Sequence, residues 1–232
     1  MASDRSPEDL ATALAQMARD LLTQDTVQQT LDRIIAYAVD LVDGCERAGV
    51  LTIESGTLRT LAATDEIAAA SDRIQLELGE GPCLDSTLRG ERVYRIADMA
   101  TDTRWPRYAP QALALGIGSA MGFLLYTRER NLGALNLYGG RRNAFTEQSE
   151  HIGWLLASHA AVAFASARSD AQLQQAIASR QEIGEALGIV MERHKVTEQQ
   201  AFDLLRRQSQ DRNVKLRELA RQLAETGELP EE

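Results

Sequence analysis

Six cationic residues, Arg206, Arg207, Arg212, Lys215, Arg217 and Arg221, crowd one short stretch near the C-terminal end of a 232-residue chain. Guanidinium and ammonium groups at that density bind phosphate oxygens, and the planar guanidinium also stacks on unpaired bases. Polyanion recognition is therefore the first chemistry to consider. The formal net charge of the whole chain is -9, so such a surface must be local. From Arg180 to Glu225, nine positive residues (the six above with Arg180, Arg193 and Lys195) stand against eight negative ones (Glu182, Glu185, Glu192, Glu198, Asp203, Asp211, Glu218, Glu225). The excess lies where one helical pattern turns into the next.

Covalent chemistry has less to work with. Cys45 and Cys83 are the only cysteines, too few for a disulfide framework or a four-ligand zinc site. They fit a reduced, cytoplasmic setting. His151, His159 and His194 are scattered and assemble no metal set. Cys83 follows the turn Gly79-Glu80-Gly81-Pro82 and opens a short helix, a place where a thiolate can be stabilised. Cys45 is its one candidate partner, and a free cysteine is more often a small buried hydrophobe.

The elements that must carry these groups follow from period and caps. Ser6-Pro7-Glu8-Asp9 is a helix start: a capping serine, proline at the first helical position and acids at the positive end of the dipole. Leu10, Leu14, Met17, Leu21 and Leu22 follow at helical spacing. A second helix begins near Asp25 or Thr26 and is stopped by Gly44. The period then shifts to two. Residues 48–53 and 57–62 flank Glu54-Ser55-Gly56 as a hairpin. Residues 68–76 are helical, 83–89 form a short helix, 92–96 a strand and 105–115 a helix. Strands at 119–127 and 132–138 are joined by the polar turn Arg128-Glu129-Arg130-Asn131.

A long helix opens at Thr146-Glu147. Ile152, Leu155, Val162, Leu173, Ala176, Ile183, Leu187 and Val190 recur along it in a seven-residue pattern interrupted by His159, Ser166, Ser169 and Arg180. Residues 167–175 carry too little apolar surface to stabilise a lone helix, which favours a two-stranded coiled coil and hence a homodimer. Its most apolar run, residues 152–167, is shorter than the roughly 20 residues of a membrane span and contains His159. No secretory signal is expected, because Ser3, Asp4, Glu8 and Asp9 crowd the N-terminus.

The tail adds three apolar stripes: Ile183, Ala186, Leu187, Val190 and Met191; Ala201, Leu204 and Leu205; Leu216, Leu219, Ala220 and Leu223. Thr197-Glu198-Gln199-Gln200 is a capping box opening the middle helix, and Gly227 and Pro230 end the last. Gly188 within the first stripe suggests close approach of another helix, because a mid-helix glycine costs about 1 kcal/mol relative to alanine.

The order of elements from residue 10 to 165 is α+β: an antiparallel sheet with helices packed against it. With Gly79-Glu80-Gly81-Pro82-Cys83, Met121-Gly122-Phe123-Leu124-Leu125 and Leu132-Gly133-Ala134-Leu135-Asn136-Leu137-Tyr138, it resembles a GAF domain. Residues 146–190 form a connecting helix overlapping both domains. In residues 180–229, Arg180-x-x-Ile183, Ala186-x-Gly188-x-x-Met191, Ala201-x-x-Leu204-Leu205-Arg206 and Leu216-x-x-Leu219-Ala220 closely resemble the ANTAR domain, a three-helix RNA-binding module. Leu187 departs from that pattern, which often has a polar or basic residue there. Ser209 stands where a small residue is usual.

The resemblance implies a signal-responsive regulator that binds paired stem-loops in nascent transcripts and prevents a terminator from forming. Arg206, Lys215 and Arg217 are the first candidates for RNA contact. Arg180, Arg207, Ser209 and Arg212 follow, while Ala186, Gly188 and Met191 are structural. The GAF-like part is then a sensor. No cofactor is evident; an unknown small molecule would bind between the sheet and residues 79–113, where Tyr94, Trp105, Tyr108 and Met121 are candidate lining, although core packing accounts for them equally. Two rival readings stand beside this one. One is a thiol-dependent methionine sulfoxide reductase of the GAF type, the other a protein- or DNA-binding regulator using the helical tail.

Overall fold

A computed structural model of the chain describes residues 6–54, 57–89, 92–128 and 131–228. Ser3, Asp4, the hairpin residues Ser55 and Gly56, Glu129 and Arg130 of the second turn, and Pro230 lie outside the described residues. The chain forms two compact units, divided between Arg168 and Ser169.

The first unit opens with helices α1 (Pro7–Leu21) and α2 (Val27–Leu41). Ser6 caps α1 by accepting from the Asp9 amide, and Thr26 and Gln29 close a reciprocal capping box on α2. Gly44, at φ +84°, turns the chain into the sheet, and a Cβ there would strike the Ala144 carbonyl. The strands are β1 (Arg47–Glu54), β2 (Thr57–Ala63), β3 (Val93–Ile96), β4 (Ser119–Tyr126) and β5 (Asn131–Gly139). They pair antiparallel throughout in the order β2-β1-β5-β4-β3.

Helices α3 (Glu66–Leu78), α4 (Pro82–Arg89) and α5 (Tyr108–Ala114) lie between β2 and β4 in sequence. The sequence predicts that α5 starts at Trp105; it starts three residues later. Pro106 disfavours helical backbone at the residue before it, and the Trp105 indole donates instead to Asp85 Oδ2 at 3.0 Å.

Both faces of the sheet are covered, which is why β4 is apolar almost end to end instead of alternating with polar residues. One face packs Met121, Phe123, Leu135 and Leu137 into a core with Met17, Leu31, Ile34, Leu156 and Phe164 from α1, α2 and the start of the long helix α6 (Glu147–His194). The other face packs Ala120, Ala134 and Tyr138 with Tyr94, Trp105, Tyr108 and Ala112. Alternate residues of each strand thus enter different cores. The first unit is the α+β architecture expected, a five-stranded antiparallel sheet with helices on it.

In the second unit, the C-terminal part of α6 joins α7 (Glu198–Asp211) and α8 (Leu216–Thr226). Their shared core is small: Ala186, Leu187, Val190, Ala201, Leu205, Leu219, Ala220 and Leu223. Thr197 and Gln200 form the expected capping box on α7. Gly188 differs from expectation. A Cβ there would meet nothing within 4 Å, so none of the described elements makes the close approach that its glycine suggested. Among the described residues, no helix is long and apolar enough to cross a membrane.

Candidate functional site

Two groups of residues have the chemistry of a site, one in each unit. The first is the cationic surface of the helical tail. Its geometry is set by the turn between α7 and α8. Asn213 adopts the left-handed conformation at φ +52°, and the Ser209 hydroxyl donates to the Val214 carbonyl at 2.6 Å. The Val214 amide returns a bond to the Ser209 carbonyl at 3.1 Å. Ser209 therefore holds the turn together, and its hydroxyl is committed to the backbone.

The cations divide by what they already touch. Arg206 pairs with Asp203 one turn back at 3.3 Å, with its side chain 57% exposed. Arg207 donates through Nε to the Asp203 carbonyl, and Arg212 through Nε to Gln208 Oε1 at 3.0 Å. Arg193 donates to the Gly227 carbonyl and Lys195 pairs with Glu192. Arg180, Lys215, Arg217 and Arg221 make no side-chain hydrogen bond or ion pair among the described residues. Their charges are available to an external anion. Lys215 and Arg217 also stand at the N-terminus of α8, with Lys215 at the capping position and no side-chain cap on the helix. The positive end of the helix dipole adds to them.

Of the residues singled out from the sequence, Arg206, Arg207, Ser209, Arg212, Lys215 and Arg217 thus flank one turn, with Ser209 serving it internally. Arg180 comes from α6. Arg221 was not singled out, although it follows Arg217 by one helical turn and lines the same groove between α6 and α8.

The second group is buried between the sheet and α3–α5. Asp72 is 1% exposed. It accepts from Thr60 Oγ1 at 3.0 Å, Tyr138 OH at 3.1 Å and Asn136 Nδ2 at 3.3 Å. Tyr94 OH donates to Asn136 Oδ1 at 3.1 Å and lies 3.3 Å from Cys83 Sγ. Gln75 holds Cys83 twice: Nε2 donates to the sulfur at 3.2 Å, and Oε1 accepts from the Cys83 amide at 2.9 Å. Ser71 and Tyr108 hydroxyls are 2.8 Å apart. Burial pushes the Asp72 carboxyl up to about 6, against the lowering effect of its three donors.

This network bears on the cysteine. Cys83 is wholly buried, and burial, followed by the nearby Asp72 carboxyl, pushes its thiol up to about 12. The thiolate that the preceding turn suggested is therefore not favoured; desolvation outweighs the helix start. Cys45 is likewise buried and pushed up to about 12. Among the described residues no cluster of three or more His, Cys, Asp or Glu is placed to hold a metal ion.

Tyr94, Trp105 and Tyr108 do come together in this core, with the Tyr94 and Trp105 rings edge-on at 6.2 Å between centroids. Met121 does not join them. It pairs with Arg95 while Tyr94 pairs with Gly122, so its side chain enters the core on the opposite face of the sheet. One residue of register decides this, because successive strand residues face opposite ways. Gly122 is the reverse case: a Cβ there would be driven into the Tyr94 ring, so the strand passes under the aromatic only as glycine.

Comparison with known proteins places these two units. A profile of the GAF domain matches residues 24–165, and one of the ANTAR domain matches residues 171–223. The chain resembles the GAF domain of a phosphoenolpyruvate-protein phosphotransferase from Coxiella burnetii, with 17% identity, a TM-score of 0.57, and 72% of this chain and 99% of that one covered. It also resembles free methionine-R-sulfoxide reductase from Neisseria meningitidis, at 13% identity and a TM-score of 0.55, covering 73% and 96%. A third likeness is the chromophore-binding domain of a bacteriophytochrome from R. palustris, at 11% identity and a TM-score of 0.56, covering 72% of this chain and 64% of that one. At these identities the likenesses establish the fold alone. No curated protein sequence matches the chain. The GAF match spans more than half of the sequence, and the chain accordingly belongs to the GAF domain family, with a C-terminal ANTAR domain that makes it a sensory module joined to an RNA-binding regulatory one.

Proposed function

We propose that the protein is a signal-responsive antitermination regulator whose ANTAR domain binds paired RNA stem-loops in nascent transcripts. The observation that carries this reading is the set of uncommitted cations, Arg180, Lys215, Arg217 and Arg221, on a small helical bundle within an otherwise acidic chain. Phosphate contacts from these groups supply affinity, and Arg planes and polar side chains read unstacked loop bases. Arg206, Arg207 and Arg212 contribute once RNA competes for their present partners. Ser209 shapes the turn. Holding the two hairpins prevents the terminator from pairing.

A two-hairpin target suits a two-fold symmetric protein. Residues 171–180 of α6 are exposed on nearly every side, with Leu173 59% and Ile177 53% exposed. An isolated helix of such composition is marginal in water, which supports pairing with a second copy along α6. The GAF domain senses a small molecule between its sheet and α3–α5. Because Tyr94, Trp105, Tyr108 and Tyr138 fill that space, ligand entry requires those helices to shift. A ligand that favours the shifted state then changes the population of the tail's binding-competent arrangement. The protein works in the cytoplasm, where nascent RNA is available.

The test selects RNA on the full-length protein from a pool of paired hairpins with randomised loops, then measures anisotropy at several salt concentrations. Each of Lys215→Ala and Arg217→Ala should weaken binding of all selected RNAs alike. Each should lower the salt slope by about 0.7–0.9 for every phosphate that the variant no longer neutralises. A folded triple variant, Arg206→Ala with Lys215→Ala and Arg217→Ala, that binds as tightly as the parent would refute this surface as the RNA site. Equal competition by duplex DNA would instead favour the DNA-binding alternative.

A further inference from the structure

A groove of about 260 Å³ runs between α6 and the start of α8. Gln175, Ser179 and Glu182 line it from α6, and Arg217, Glu218 and Arg221 from α8. The spacings are those of single helix faces: i, i+4, i+7 on α6 and i, i+1, i+4 on α8. It lies just beyond the bundle's own core, whose first residue on α6 is Ile183. Leu219, Ala220 and Leu223 point into that core, which fixes α8 so that Arg217 and Arg221 are left on the groove.

Two features distinguish this groove from the surrounding basic surface. First, its charges balance, with Arg217 and Arg221 against Glu182 and Glu218. A phosphate site carries a surplus of positive charge; this one presents carboxylate acceptors beside guanidinium donors, with the Gln175 amide able to serve as both. Second, these groups do not satisfy one another. Among the described residues, none of the side chains of Gln175, Ser179, Glu182, Arg217, Glu218 or Arg221 makes a hydrogen bond or ion pair. Charges of both signs held beside one another and left unpaired form a recognition surface for something that is itself both donor and acceptor. The groove is smaller than the roughly 300–1,000 Å³ of pockets for drug-sized ligands, which leaves room for one planar group.

We infer that this groove receives a single unstacked RNA base bearing an exocyclic amino group, with Glu182 accepting from that amino group and Gln175 bonding the adjoining edge. Arg221 lies across the base plane, and Arg217, at the N-terminal turn of α8, holds the flanking phosphate. The acceptor sets the preference. A carboxylate bonds adenine, cytosine or guanine through an amino N–H, whereas uracil sets a carbonyl oxygen at the position of that amino group, which the carboxylate repels. Phosphate contacts outside the groove position the hairpin; the groove reads it. The inference rests on the RNA-binding reading and adds to it Gln175 and Glu182, and gives Arg221 a base to stack on.

The experiment uses full-length protein and the hairpin pair selected from the randomised-loop pool. Each loop position is changed to uracil in turn. The parent should lose about tenfold or more in affinity at one position, the scale of a single specific base contact. Glu182→Gln should abolish that discrimination, since its amide donates to uracil, while binding of the selected loop falls no further than that of the uracil loop. Arg221→Lys keeps the charge and loses the plane. It should weaken the selected RNA by about tenfold while leaving the salt slope unchanged. Lys215→Ala, outside the groove, should weaken all loops equally. If the parent enriches no hairpin, the RNA-binding reading fails. If it enriches hairpins, and Glu182→Gln and Arg221→Lys keep its affinity and loop preference with unchanged circular dichroism, RNA binds elsewhere and the groove is not the reading site.

Discussion

Replacing Asp72 by asparagine should stabilise the protein at neutral pH, although it alters a fully buried, hydrogen-bonded residue. The carboxyl has three neutral donors, Thr60, Tyr138 and Asn136, and no cation among its described partners. Burial raises it from the ordinary carboxylate range to about 6. The folded state therefore holds the proton more tightly than the unfolded chain, where the group titrates near 3.9. Stability from this group is fully present below about pH 4, falls as pH rises, and is lost above about pH 6. A difference of about two units at 1.36 kcal/mol each makes the loss about 3 kcal/mol.

Asparagine removes the charge at every pH and preserves most of the bonds. Its carbonyl oxygen takes the position of Oδ1, which accepts from Asn136 and Tyr138. Its amide takes the position of Oδ2 and donates to Thr60 Oγ1, which turns from donor to acceptor. The measurement is urea unfolding from pH 4 to 8, followed by fluorescence of Trp105 and Trp154. At pH 7.5 Asp72→Asn should exceed the parent by up to about 3 kcal/mol. With a urea slope of about 2 kcal/mol/M, the midpoint rises by about 1–1.5 M. At pH 4 the two should coincide. Other titrating groups cancel in the difference, so its rise between pH 4 and 6 isolates Asp72. A variant that is less stable by the same amount at every pH would refute the argument, because the hydrogen bonds and not the charge would then decide.

Three further outcomes follow from named contacts. Gly122→Ala pushes a methyl group into the Tyr94 ring and should cost about 1–3 kcal/mol by overpacking, read by urea unfolding. Ser209→Ala removes the bond to the Val214 carbonyl and should lower stability by about 0.5–1.5 kcal/mol while leaving the salt slope of RNA binding unchanged. Leu173→Asp with Ile177→Asp should yield a monomer by sedimentation, and an unchanged dimer would put the interface elsewhere.

The parts of the fold that sequence revealed are those fixed locally. Ser6-Pro7, Thr26 with Gln29 and Thr197 with Gln200 each mark a helix start because the cap lies within four residues of what it caps. The strand pairing β2-β1-β5-β4-β3 is not local: β5 comes between β1 and β4, and the order of elements along the chain implies an antiparallel sheet without giving that order. The buried network was hidden for a related reason. Ser71, Asp72 and Gln75 are of types that usually face solvent on a helix. They are buried because α3 turns them to a sheet bearing Asn136 and Tyr138. Asn136, alone in an apolar strand, was the one visible signal, since a buried amide requires partners.

The tail shows a limit of spacing rules. Spacing alone commits Arg206 to Asp203 and Lys195 to Glu192, and both pairs form. Spacing equally offers Arg221 two acids, Glu218 one turn before and Glu225 one turn after. Neither pair forms. Arg221 instead lines the groove with α6, whose Glu182 lies far away in sequence and makes no ion pair with it among the described residues. Intrahelical pairs are worth only about 0.2–0.5 kcal/mol, so packing of Leu219, Ala220 and Leu223 easily overrides them. A composition count weighs all nine cations of the tail alike. What separates four available charges from five engaged ones is the direction in which the small core turns each helix, and that direction is a property of the three stripes together.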